Sequence, residues 1–211
     1  GQSNIHLEGV EFRKNKITSK KEESQIEAAV LSHLDRYLEI EEILQVASIE
    51  WEKPREAPFP VRELAEAEIA AMSMRDHWDL GTNPIPSFAE FLEERGIKVM
   101  SMALPTSVSG LTCWANREGS KSVPVIVVNE VDTGERQRFT LSHELGHMVM
   151  EVADSIDEEK ASHRFASALL MPADTIRTEI GRKRQSIALG ELFALKELFG
   201  VSVQAIAYRC K

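Results

Sequence analysis

Sulfur chemistry has little to work with in this chain: its 211 residues include two cysteines, Cys113 and Cys210. They form no disulfide framework and no zinc-ribbon spacing, and they suit a reducing cytosol. Long apolar runs are missing as well. No stretch approaches the ~18 consecutive apolar residues of a membrane span, and the opening Gly1-Gln2-Ser3-Asn4 is no signal peptide. A cytoplasmic protein without membrane contact is the expectation. Excess positive charge is absent: 25 basic against 34 acidic residues leave −9, so attraction to nucleic acid or anionic membrane is not a whole-chain property. No internal repeat or low-complexity tract appears. The start at Gly1-Gln2, with no initiator Met, reads like a tag scar and makes a fragment of a longer protein the expectation.

What is present fits an ordinary globular protein, with 43% hydrophobic and 28% charged residues. A chain of this length buries roughly 70% of its unfolded surface without help from metal or disulfides. A metal found here would therefore serve chemistry more than folding.

The spacing of Ile26, Val30, Leu34, Leu38 and Ile43 predicts a helix over 18–47, with Thr18 and Ser19 as N-caps and Glu22 and Glu23 in its first turn. Residues 51–60 carry Pro54, Pro58 and Pro60 and read as a linker. A second helix is predicted over 61–78, and a third after Ser87, with Glu90 in a capping box and Gly96 at its end. Then the period changes to short β-rich runs at 97–104, 111–116 and 123–129, split by Pro105, Gly110 and a turn over 116–120. They read as an antiparallel meander or a small mixed sheet. Helical patterns return over 134–151, 156–170 and 189–198, and a last helix runs over 202–209 beyond Gly200, with Ser202 as N-cap. The class is α+β, with helices before and after a small three-stranded sheet. The expected division is an N-terminal helical segment and linker over 1–59, a central domain over 60–175, and a C-terminal helical hairpin over 176–211.

Chemistry concentrates at His143-Glu144-Leu145-Gly146-His147. Histidines at i and i+4 of a helix project from one face, so both imidazoles can bind one zinc ion. Glu144 lies beside them, placed to take a proton from an activated water. Random order gives this pattern in roughly 2% of chains of this composition, but its place in a helix just after a strand strengthens it. Phe139, Leu141, Leu145, Met148 and Val149 would bury the other face. The plain alternative is that His143 and His147 merely line a half-buried helix face. A catalytic zinc wants a third protein ligand and an open position. Glu151, Asp154, Asp157, Glu158, Glu159 and His163 are all near enough in sequence, with Ser155 and Glu158 fitting a capping box. Spacing alone does not choose among them.

The run from Arg136 to His147, followed by Glu159-x-x-x-His163-Arg164-Phe165-Ala166 and Leu169-Leu170-Met171-Pro172, resembles the ImmA/IrrE family of metallopeptidases over roughly residues 60–211. The resemblance implies a reduced, zincin-like metallopeptidase domain of gluzincin type: the HExxH helix, a small sheet and a following ligand helix. It implies zinc held by His143, His147 and Glu159, with Glu144 as general base. The family usually has Asn or Asp four residues after the glutamate, where this chain has His163, as a brace or an alternative ligand. Residues 8–47, with Val10-Glu11-Phe12-Arg13-Lys14, are similar to the helical segment that follows an N-terminal helix-turn-helix repressor domain in fused members.

Two functions follow from the resemblance. One is a zinc endopeptidase that cleaves a repressor or partner protein in regulation, with 123–129 as an edge strand for the substrate peptide. The other is a non-proteolytic antitoxin or transcriptional regulator in a toxin–antitoxin or stress-response system, keeping a zinc-site-like cleft. The partner is a protein, a repressor or toxin, with a homodimer as a further option. DNA contact is expected through a helix-turn-helix domain not in this chain. A second route to DNA is the C-terminal stretch from residue 176, where Arg182-Lys183-Arg184 precede the two last helices. Leu189, Leu192, Leu195, Leu198 and Val201 make a packed hairpin the stronger reading there. Glu144 is expected in an open cleft. Arg136 and Arg138 read as solvated helix charges, Cys113 as a buried hydrophobe, Trp51, Trp78 and Trp114 as core or linker anchors, and His33 and His77 as ordinary.

Overall fold

A computed structural model describes residues 5–14, 19–46, 49–117, 121–181 and 186–210. Gly1–Asn4, Thr18, most of the turn expected near 116–120 and Arg182–Arg184 lie outside these residues. The chain forms two compact units, one from residues 1–52 and 89–132, the other from 53–88 and 133–211. Both are discontinuous, so they cut across the division at 59 and 175 expected from the sequence.

The first unit is a sheet with one long helix. Its strands are β1 (Ile5–Lys14), β3 (Lys98–Met102), β4 (Val108–Arg117) and β5 (Val123–Asn129), in the order β1-β4-β5-β3. β4 pairs antiparallel with β1 and with β5, and β3 runs parallel to β5. The sheet is mixed and has four strands, not three. The added strand occupies part of the expected N-terminal helical segment, so Val10 to Lys14 are extended and not helical. β5 is an inner strand with both ladders filled, which removes it as an edge for a peptide substrate. Its run Val-Pro-Val-Ile-Val-Val-Asn is buried from Pro124 onward, the pattern of a strand covered on both faces.

Helix α1 (Lys20–Leu44) lies on this sheet. Ser19 caps it as expected: its hydroxyl accepts from the Glu22 amide while the Glu22 carboxylate accepts from the Ser19 amide at 2.9 Å. The Ser19 hydroxyl also donates to the Glu22 carboxylate at 2.7 Å, and this bond first, then the one from the Ser19 amide, holds the Glu22 carboxyl below its usual range. Ile26, Val30 and Leu34, one per turn, pack with Met100, Met102, Leu111, Cys113, Val125 and Val127. Burial first, then the charge of Glu27, pushes the Cys113 thiol up to about 12, so it behaves as the hydrophobe expected. Asn129, at the end of β5, ties the β3–β4 connection: Oδ1 accepts from the Leu104 amide at 3.2 Å, and Nδ2 donates to the carbonyls of Leu104 and Val108. Trp51 and Trp114 pair with ring centroids 5.4 Å apart. Gly96 has φ of +81°, and a Cβ there would come within 2.5–2.6 Å of the backbone of residues 49–51. The chain can leave α3 (Phe88–Glu93) beside that segment because residue 96 has no side chain.

The second unit holds β2 (Phe59–Val61) paired parallel with β6 (Met150–Val152), and helices α2 (Glu66–His77), α4 (Gly134–Val149), α5 (Glu158–Leu170), α6 (Ala173–Ile180), α7 (Leu189–Phe199) and α8 (Val203–Arg209). α2 begins five residues later than expected, because Phe59–Val61 are taken by the strand pair and Glu66 turns its carboxylate back on the Arg62 and Glu63 amides. α6 was not expected; it follows at once on Pro172, which ends α5 and starts the next helix. Gly200 at φ +63° closes α7 and Ser202 caps α8, as expected. Leu195 and Val201 of the hairpin are buried, but Leu189 and Leu198 are exposed, contrary to the fully packed stripe expected.

Guanidinium groups stitch this unit together. Arg75, fully buried on α2, donates to the carbonyls of Gly81 (2.7 Å), Leu169 (2.5 Å) and Asn83. Arg138 donates to the carbonyls of Pro86 and Ile85, so it is a half-buried clamp and not a solvated charge. Burial draws both guanidinium groups down to about 10. Arg209 of α8 bonds the Met171 carbonyl and the Glu68 carboxylate. Among the described residues no helix is long and apolar enough to cross a membrane.

Candidate metal centre

α4 and α5 of the second unit build the site. On α4, Leu141, Leu145 and Val149 are buried, which sets the helix phase and turns His143 and His147 together to the opposite side. Gly146 lets α5 approach: a Cβ there would meet the Phe165 ring at 3.0 Å and the Met150 methyl at 3.3 Å. Asp157 caps α5 by accepting from the Lys160 amide at 3.1 Å. The capping box expected between Ser155 and Glu158 is therefore not formed, and α5 starts with both glutamates in its first turn, where the helix dipole favours them.

Three donors converge. Nε2 of His143 and Nε2 of His147 are 3.1 Å apart, and one Glu159 carboxylate lies 3.3 Å from the first and 3.4 Å from the second. Tetrahedral zinc with bonds of 2.0–2.1 Å separates its ligands by about 3.3–3.4 Å. Glu159 faces His143 with Oε2 and His147 with Oε1, so the carboxylate spans the two imidazoles at about that spacing, and two imidazoles with one carboxylate are a zinc-type donor set. Of the third-ligand candidates, Asp157 is the cap and Glu158 meets His147 at Nδ1, 3.1 Å away. His163 is exposed on α5 and stands outside the donor group. Its ring packs edge-on against His143, centroids 4.8 Å apart, and tilted against Phe139 at 5.4 Å. Glu144 is 1% exposed, so it lies in a closed environment and not in the open cleft expected.

The electrostatics follow from this packing. Hydrogen bonding to His143 and then His147, opposed by burial, holds the Glu159 carboxyl far below its usual range. Burial disfavours a charged His147, but Glu159, the charge on Glu144, and Glu158 outweigh it and raise the imidazole to about 9 from its ordinary 6.5. In the metal-free protein this histidine's contribution to stability is complete below pH 6.5 and is lost as pH rises through about 9. The contribution of Glu159 is present above its ordinary 4.5 and is lost only as pH falls through its depressed value. Zinc needs a neutral imidazole, so the sign reverses for metal binding. Zinc uptake at pH 7.5 is expected to release about one proton from His147, with apparent affinity climbing towards pH 9 and levelling there. Calorimetry in two buffers of different protonation enthalpy measures this directly; uptake with no proton released would refute it.

A family model described as the IrrE N-terminal-like domain (Peptidase_M78) matches residues 92–211, which include both histidines, Glu144 and Glu159. The chain belongs to this family. No curated protein matches the chain. Membership brings a metallopeptidase-like, metal-dependent class to the donor group just described. The contact of Glu158 with His147 escaped the sequence reading. An N-cap at Asp157 in place of Ser155 would have revealed it, by placing two consecutive carboxylates at the helix start.

Proposed function

We propose that this chain is a zinc-dependent endopeptidase of regulatory type, which cleaves a repressor or other partner protein. The convergence of His143, His147 and Glu159 within 3.1–3.4 Å carries the proposal, with Glu144 on the next residue of the same helix. The arrangement is read as a reduced zincin-like domain, with HExxH on α4 and the third donor on α5. His143, His147 and Glu159 would hold zinc and leave a fourth position open. Zinc supplies Lewis acidity there, lowering the pKa of water and polarising a peptide carbonyl. Glu144 accepts a proton from the attacking water and passes it to the leaving amine. Its burial shields that proton from bulk solvent.

The proposal extends to setting. The protein acts in the cytoplasm, in a toxin–antitoxin or stress-response system, and any DNA contact comes from a helix-turn-helix domain of a longer parent chain. The experiment is co-expression of the wild type or Glu144→Gln with the adjacent regulator or toxin gene, following the partner's length. A partner shortened by the wild type and left whole by the variant is the expected result. A partner left whole by both, with the variant fully complementing growth, would replace the peptidase with the non-proteolytic regulator.

A further inference from the structure

Glu158 stands one residue before Glu159 and reaches the other flank of the same imidazole. Its Oε1 is 3.1 Å from Nδ1 of His147, while Nε2 of that ring faces Glu159 at 3.4 Å. Two consecutive carboxylates therefore bracket the two nitrogens of one histidine. Nε2 is the atom that converges with the other donors, so in the neutral ring the proton belongs on Nδ1. A carboxylate at 3.1 Å is placed to accept it.

We infer that Glu158 is a positioning residue, which fixes the Nδ1–H tautomer and ring plane of His147 so that Nε2 stays aimed at the metal. The inference rests on the zinc reading above and adds a residue outside the ligand set. Local structure explains how the sequence achieves it. Asp157 fixes where α5 begins, and neighbouring side chains on a helix diverge by about 100°. Glu158 and Glu159 thus reach the two nitrogens of one ring from the start of the helix. The Glu158 side chain is 60% exposed, so its charge alone would contribute little through solvent. Its effect comes through orientation.

The test uses the full chain and zinc alone, titrated in competition with a chelator. Glu158→Ala is expected to bind zinc about 10–100-fold more weakly. Glu158→Gln keeps an acceptor oxygen and should recover most of that loss, and it keeps the test valid if the alanine variant folds poorly. Asp154→Asn removes an equal exposed charge ahead of α5 and should leave affinity unchanged. In the zinc-loaded wild type, the Hδ1 proton of His147 should give a protected, downfield NMR signal that Glu158→Ala abolishes. Unchanged affinity in Glu158→Ala, or an equal loss in Asp154→Asn, overturns the inference while the zinc reading stands. A wild type that takes up no zinc overturns both.

Discussion

Glu144→Gln is expected to lower the cleavage rate by about 10²–10⁴-fold while leaving zinc uptake intact. The substitution keeps the volume of the side chain and removes its capacity to accept a proton. His143, His147 and Glu159 remain to hold the metal, since none of the three convergent donors belongs to Glu144. The near-complete burial of Glu144 also bears on stability. An uncharged amide is cheaper to bury than a carboxylate but gives up the attraction of the Glu144 charge for a protonated His147, so the metal-free variant should melt close to the wild type. Purified protein, peptide cleavage, zinc analysis and a thermal melt give all three readouts. Retained cleavage would remove Glu144 from the chemistry.

The second large effect is on folding. Arg75→Met should destabilise the protein by about 1–3 kcal/mol, lowering Tm by roughly 5 °C. Methionine follows the apolar stem of arginine but leaves the carbonyls of Gly81, Asn83 and Leu169 without their donor. The Leu169 carbonyl is on a buried residue and carries the main cost, about 1–3 kcal/mol, while Gly81 and Asn83 are exposed and water can replace their donor. Arg75→Lys is not expected to rescue, because one ammonium cannot span three acceptors held in a guanidinium geometry. As the Leu169 carbonyl lies in the last turn of α5, zinc affinity should weaken along with stability. A thermal melt within 2 °C of wild type for Arg75→Met would contradict this role.

These clamps show where sequence reading runs out. Arg138 reads as a solvated helix charge and Arg75 is unmarked, since the partners of both are backbone carbonyls of residues that carry no signal. β1 is hidden for another reason. Its apolar positions, Ile5 and Leu7 and then Val10 and Phe12, alternate within each pair but change phase between them. The register shift between Glu8 and Glu11, around Gly9 at φ +58°, absorbs the extra residue. β2 and β6 are three residues each and meet across some ninety positions, too short and too distant for any periodicity to announce. The helices that were legible bury a clear stripe, as Ile26, Val30 and Leu34 do, or carry adjacent caps such as Ser19 and Ser202. His143 and His147 were legible because i, i+4 spacing on a helix fixes a shared face. Glu159 was singled out by family resemblance, and its neighbours Glu158 and His163 needed the phase of α5, which only the Asp157 cap sets.

Metal analysis of the purified chain tests the central claim most directly. One equivalent of zinc on the wild type, and less than a tenth of that on His143→Ala at unchanged helix content, is the expected outcome. Equal zinc on both, or none on a wild type refolded with zinc in excess, would contradict a site built from His143, His147 and Glu159.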